Sequence, residues 1–147
     1  FALFNVVDMP ALVVSLWQLV RPGGRLVIVT KGRPFLAPLG DLFFDAAVAE
    51  AADLRPPRPW QRTDTPDRLR DLLTTAGIDA DITSQTTTTP LPQPADWWRI
   101  VQATGLSRTA QLLGPAAARV AAANLRAISE QSIDALTSTA LCAVAHK

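Results

Sequence analysis

The tripeptide Pro22-Gly23-Gly24 separates two stretches whose apolar residues follow different periods. Over residues 11–20 the leucines and valines recur at the spacing of one helix face, and the proline and glycines then end that helix. Residues 26–30, LVIVT, are short, β-branched and uninterrupted, which predicts a strand buried on both faces, as in a parallel sheet covered by helices. The sequence therefore predicts the order helix, turn, strand.

That order bears on what the two glycines do. A phosphate-binding loop runs from a strand through a glycine turn into a helix, because free N–H groups at the helix N-terminus face the anion. Gly23 and Gly24 instead follow a helix, at the negative end of its dipole. We interpret them as a structural turn and not as a cofactor loop.

Composition and charge narrow the class of protein. The 147 residues suit one domain, and 48% apolar residues can supply a core. Fourteen basic and thirteen acidic residues give a net charge of +1 without a basic tract, so neither a nucleic-acid nor a membrane-surface partner is expected. With Cys142 and His146 the only residues of their types, we expect neither a metal site nor a Ser-His-Asp site. No aliphatic run could span a bilayer and no signal-peptide pattern opens the chain, so a cytoplasmic protein is expected.

Proline and capping residues divide the rest of the chain. The segment 54–60, LRPPRPW, cannot be helical and is either a rigid connector or a polyproline ligand for an aromatic groove. Thr65 and Pro66 fit the N-cap and first position of a helix. The predicted segments are 1–54 (strand end, helix, strand, helix), 55–64 (connector), 65–89 (helix, strand), 90–132 (helices) and 133–147 (terminal strand).

Two segments, VVDMPALVVSLWQLVRPGGRLVIVT and DTPDRLRDLLTTAGI, resemble the C-terminal half of a class I S-adenosylmethionine-dependent methyltransferase of the ubiquinone/menaquinone-biosynthesis-like, type 11 group. In that family an R-P-G-G-R-L segment joins the fourth and fifth strands, and an L-x-x-L-L-x-x-A-G-F helix leads into the sixth. Here Ile78 replaces the aromatic residue. The segments ADWWRIV and ALCAVAHK are similar to the family's substrate-side insertion and seventh strand.

The resemblance implies an α/β fold, the C-terminal half of a Rossmann-like sheet. Parallel fourth and fifth strands, a sixth and an antiparallel seventh strand would have helices on both faces and a helical substrate-side insertion. The family's cofactor loop, E/D-x-G-x-G-x-G, has no counterpart, since no G-x-G occurs in this sequence. The single domain over 1–147 is therefore expected to be partial. A missing N-terminal half or a second chain, as in a homodimer, would cover the strand edge at 1–7.

The implied activity is methyl transfer from S-adenosyl-L-methionine to a small, partly apolar acceptor, with this fragment alone inactive. The reaction is an in-line displacement, so the protein mainly aligns the reactants and excludes water, and no catalytic side chain is assigned. One alternative is an inactive, truncated relative that acts in dimerisation or partner binding. Another is a nicotinamide-dependent Rossmann enzyme, which the missing glycine fingerprint disfavours.

Ligands of open α/β sheets bind beyond the carboxyl ends of the strands, which directs attention to two loops. In the first, Phe4 and Asn5 are predicted to contact the cofactor, and Asp8 and Met9 the substrate. The alternative makes Asp8 an N-cap, Phe4 a core residue and Asn5 a turn residue.

The second loop follows the LVIVT strand. Here Lys31, Arg33 and Phe35 are predicted to bind substrate, with the two cations facing an acidic group; the alternative is a solvated loop. Trp97 and Trp98 are adjacent on a predicted helix and point about 100° apart, so one is predicted to be core and the other to line an apolar acceptor pocket. Trp60, at the end of the connector, is a further substrate candidate.

Overall fold

The computed structural model of the protein describes residues 3–51 and 59–147. The helices are α1 (Met9–Leu19), α2 (Leu39–Glu50), α3 (Pro66–Thr75), α4 (Asp96–Ala103), α5 (Ser107–Leu113) and α6 (Ala117–Glu130). The strands are β1 (Arg25–Ala37), β2 (Asp81–Pro90) and β3 (Ala135–His146), and Leu3–Asn5, Pro59–Arg62 and Gly114–Ala116 form 3-10 turns. Every helix in these described ranges is too short or too polar to cross a bilayer.

Two helices begin at the residues that the sequence predicts. The Asp8 carboxylate accepts a hydrogen bond from the backbone N–H of Ala11 at 2.9 Å and caps α1. The Thr65 hydroxyl accepts one from the N–H of Arg68 at 3.3 Å, with Pro66 as the first residue of α3. Both N-caps place an oxygen on an N–H group that has no partner within the helix.

The three strands form one sheet in the order β1-β3-β2. Lys147, next to the end of β3, donates its backbone N–H to the carbonyl of Gly24 at 3.0 Å, while the hydroxyls of Thr86 and Thr139 lie 2.9 Å apart across β2 and β3. An added Cβ on Gly32 would lie 2.8 Å from the Cγ2 atom of Thr139, which places these two residues opposite one another. β3 is therefore antiparallel to both neighbours, and β1 and β2 run in the same direction on either side of it.

The predicted parallel pair of strands is wrong for the described residues, whose sheet is antiparallel. Leu3–Asn5 is a 3-10 turn and not a strand end. The carbonyls of Val6 and Val7 accept hydrogen bonds from the Arg62 guanidinium at 3.3 and 3.2 Å, and the Val7 side chain is 91% exposed. Residues 3–7 are therefore not an edge strand of the described sheet, contrary to the prediction, and β1 is one of its edge strands.

β1 departs from prediction in two further respects. It continues through residues 31–37, so Lys31, Arg33 and Phe35 lie in a strand and not in a loop. Its burial alternates: Ile28 is 8% exposed, whereas Val27 and Val29 are 54% and 41% exposed, so the strand is buried on one face and not on both. Pairing with β3, which the local sequence does not reveal, extends the strand.

The chain divides into two compact units. The first unit comprises Phe1–Phe35, Arg58–Thr87 and Ser138–Lys147, and the second comprises Leu36–Pro57 and Thr88–Thr137. In the first unit, α1 and α3 pack on the buried face of the sheet, with a core of Met9, Val13, Ile28, Leu69, Leu73, Ile78, Leu141, Ala143 and Ala145. In the second unit, α2 contacts α6, and the buried side chains include Phe43, Ala47, Trp97, Val101, Val120 and Ile128.

Gly23 provides a test of the turn between α1 and β1. Its φ is +74° and its N–H donates to the carbonyl of Lys147 at 2.7 Å, with no atom within 4 Å of an added Cβ. We expect Gly23→Ala to lower the free energy of unfolding by about 1 kcal/mol through backbone strain alone. Urea unfolding measures this, and Gly23→Asn should lose less because asparagine tolerates positive φ. An unchanged midpoint for Gly23→Ala would contradict the turn geometry.

Candidate functional site

A lysine and two aromatic rings meet beside the second half of β1. The Lys31 ammonium lies 4.1 Å from the centroid of the Phe35 ring and 5.1 Å from that of Trp60. The two rings are 6.3 Å apart and inclined at 53°. Lys31 and Phe35 are four residues apart on β1, as expected for side chains on one face of a strand, and Trp60 comes from the turn Pro59–Arg62. An ammonium at these distances is attracted by the negative ring faces.

This lysine borders a cavity of about 270 Å³ on the sheet of the first unit. All three strands contribute lining residues: Lys31 and Phe35 from β1, Gln85 and Thr87 from β2, and Ser138, Thr139 and Ala140 from β3. Among these described lining residues only Lys31 carries a charge. Partial burial lowers the pKa of Lys31, because loss of water disfavours the ammonium form.

Arg33, the other predicted cation of this strand, is held by an internal carboxylate. Its Nε donates to Asp64, whose other oxygen accepts from Arg68 at 2.8 Å. The Asp64 side chain is only 1% exposed, and its backbone carbonyl also accepts from the N–H of Arg33 at 2.9 Å. The buried hydroxyls of Thr30 and Thr63 lie 3.2 Å apart beside this pair. These contacts fix the segment that carries Trp60 against β1.

The first predicted loop is not among the described lining residues of this cavity. Asp8 acts as the N-cap of α1, Met9 is 3% exposed in the core, and Asn5 is exposed. The side chain of Phe4 lies outside the described residues. The predicted contacts of these residues with a cofactor or substrate stay predictions.

The adjacent tryptophans of α4 have different surroundings in the second unit. Trp97 is 1% exposed, and its indole N–H donates to the Oδ1 atom of Asn124 at 2.7 Å. Trp98 is half-buried and lines a cavity of about 480 Å³ with Gln102, Ser107, Ala110, Gln111, Ala117 and Ala118. Trp97 is thus the core residue, and a substrate contact remains a prediction for Trp98.

Sequence reasoning missed most of the residues around Lys31. Asp64 lies 31 positions after Arg33, so no pattern along the chain indicates that the two residues pair. Asp64 also directly precedes Thr65, the N-cap of α3, and this helix start is enough to explain an aspartate at that position. Gln85, Thr87 and Ser138 reach the cavity through the strand register alone. Over residues 3–51 and 59–147, no group of three His, Cys, Asp or Glu side chains is placed to hold a metal ion.

No protein-family model matches the chain, and no curated protein sequence matches it. The resemblance of its two segments to methyltransferases therefore depends on the residues themselves. The same residues build α1, the Pro-Gly-Gly turn, β1 and α3 of the first unit.

Proposed function

We propose that this chain is the C-terminal part of an S-adenosylmethionine-dependent methyltransferase that acts on a small, partly apolar acceptor. The observation that carries the proposal is the placement of β3. The resemblance implies a helix–Pro-Gly-Gly–strand segment, then a helix–strand segment, and then an antiparallel terminal strand. In the structure, β1 follows the Pro-Gly-Gly turn, β2 follows α3, and the terminal strand β3 is antiparallel to both.

The described residues do not by themselves fit the cofactor. A sulfonium is cationic, whereas the cavity of the first unit is lined by one cation, Lys31, and by no carboxylate among its described residues. Asp64, the buried carboxylate nearby, is already bound by Arg33 and Arg68. The glycine loop that binds the cofactor would therefore lie in polypeptide outside these 147 residues.

On the acceptor side, this chain would contribute binding and exclusion of water. Lys31, Phe35 and Trp60 form a charged and aromatic cluster beside the second half of β1, next to the cavity of the first unit. In the second unit, Trp98 lines an apolar cavity of its own. Holding an acceptor in fixed orientation within a water-poor site is the main requirement of an in-line methyl transfer.

The test joins intact mass with a thermal shift. We expect the natural polypeptide to be longer than 147 residues and to gain stability from millimolar S-adenosylhomocysteine, whereas the 147-residue chain should not. A ligand at one hundred times its Kd adds about 2.7 kcal/mol, a readily measured rise in Tm. A natural polypeptide of only 147 residues with an unchanged Tm would overturn the proposal.

A second candidate is an inactive module that acts in dimerisation or partner binding. β1 lies at one edge of the described sheet and exposes Val27 and Val29, and such an edge pairs readily with another chain. Light scattering across a range of concentrations tests this candidate. A monomer at every concentration would remove its support, whereas a dimer without response to the cofactor product would favour it over the methyltransferase.

A further inference from the structure

We propose that the cavity lined by Lys31, Phe35 and Ala140 binds a small aromatic carboxylate, with the carboxylate on the Lys31 ammonium and the ring against the apolar wall. That this ligand is the methyl acceptor rests on the proposed function, whereas the binding itself does not.

The lining residues of the cavity indicate that its ligand is an anion. Lys31 is the single charged residue among the seven described lining residues, and Gln85 and Thr87 add an amide and a hydroxyl group that can donate hydrogen bonds. An anion would therefore meet donors and no described like charge. Because partial burial disfavours the ammonium form of Lys31, an anion that replaces the lost water also stabilises the lysine.

The size of the cavity limits the ligand. A volume of about 270 Å³ is small for a ligand pocket, since such pockets usually begin at roughly 300 Å³. A single ring with one carboxyl group fits this space better than a nucleotide or a fused multi-ring compound. Benzoate is the simplest compound of this class and serves as the probe.

The apolar surface around the Lys31 ammonium indicates that the ligand carries an aromatic ring. The half-buried rings of Phe35 and Trp60 lie within about 5 Å of the Lys31 nitrogen, and Ala140 adds an apolar wall. Of the two rings, only that of Phe35 is among the described lining residues of the cavity. Offset or edge-to-face contact with this ring favours an aromatic over an aliphatic partner. A bare inorganic anion would leave this apolar surface in contact with water.

The experiment is a titration of the 147-residue chain with sodium benzoate, followed by NMR of [13Cε]lysine. The sequence has only two lysines, Lys31 and Lys147, so each gives its own signal. We expect benzoate to shift the Lys31 signal and to leave that of Lys147 in place. Benzamide has the same shape without the charge and should bind about tenfold more weakly, because its neutral carbonyl oxygen accepts a weaker hydrogen bond from the ammonium than a carboxylate does.

Lys147 supplies a matched control. Its ammonium also lies over a ring, 5.5 Å from the centroid of Trp17, and donates to the Trp17 carbonyl at 2.8 Å. Lys31→Met should abolish benzoate binding in a protein whose circular dichroism is unchanged, whereas Lys147→Met should keep the affinity, read from the backbone amide signals of Gly32, Arg33 and Phe35.

Three outcomes would overturn the inference: equal affinity for benzoate and benzamide, full affinity in Lys31→Met, or inorganic phosphate binding as tightly as benzoate. The first and third outcomes are measured on the unaltered chain, so they can overturn the inference even if Lys31→Met fails to fold. No cofactor is present in these titrations. Failure here therefore leaves the methyltransferase proposal standing, and an absent cofactor response leaves benzoate binding standing.

Discussion

Trp97→Ala should lower the free energy of unfolding by about 4 kcal/mol, the largest effect that we expect from a single substitution in this chain. The side chain is 1% exposed, and its ring packs edge-on to Phe43 at a centroid distance of 6.5 Å. Truncation opens a cavity among rigid neighbours and also removes the N–H that Asn124 accepts at 2.7 Å. Asn124 is itself 1% exposed, so loss of this donor adds a desolvation cost. Urea unfolding measures the sum.

The neighbouring tryptophan is the matched control. Trp98 follows Trp97 on the same helix but is only half-buried, and it borders a cavity that water can enter when the ring is removed. Trp98→Ala should therefore lose less than half as much stability as Trp97→Ala. Trp97→Phe separates the two contributions, because it keeps a ring and loses the N–H. Equal losses for the two alanine variants would contradict the assignment of Trp97 to the core.

The elements that could be predicted from sequence are those fixed by neighbouring residues. Asp8 and Thr65 accept hydrogen bonds from N–H groups three positions later, so the start of each helix is encoded within one turn. The turn at Gly23 is equally local, because it depends on the positive φ of Gly23 and on the change from helical to strand periodicity in the residues around it. The second helix predicted within the segment 1–54 is observed as α2 over Leu39–Glu50.

The predictions that were wrong concern residues whose structure depends on partners far away along the chain. Residues 31–35 lie in β1 because Gly32 fits against Thr139, more than one hundred positions away, and the residues themselves gave turn signals. The opposite error occurred at residues 3–7, where an apolar run suggested a strand but Arg62 binds the carbonyls of Val6 and Val7. For the candidate site, local reasoning predicted Lys31 as a ligand contact, which stays a prediction, and it did not predict the other lining residues of the cavity because they depend on strand register.

Asp64→Ala should lower the free energy of unfolding by about 3 kcal/mol, because it removes two charge-assisted hydrogen bonds to a buried carboxylate. Asp64 is 1% exposed, whereas its partners Arg33 and Arg68 are 56% and 49% exposed and stay hydrated when the carboxylate is lost. The cost is therefore that of the lost contacts and of the space left behind, not of a stranded buried charge. Urea unfolding of the variant measures it.

Asp67→Ala is the control, because it breaks an aspartate–arginine pair three residues further along the chain. Asp67 is 89% exposed and binds Arg70 at 2.9 Å, so its loss should change stability by less than about 0.5 kcal/mol. A second measurement follows from the position of Trp60 over Lys31. Asp64→Ala releases the segment that holds Trp60, so the Lys31 [13Cε] signal should lose the Trp60 part of its ring-current shift and keep that of Phe35, whereas Asp67→Ala should leave the signal in place. Equal stability of the two variants, or an unmoved Lys31 signal in Asp64→Ala, would show that the buried carboxylate does not position the aromatic ring.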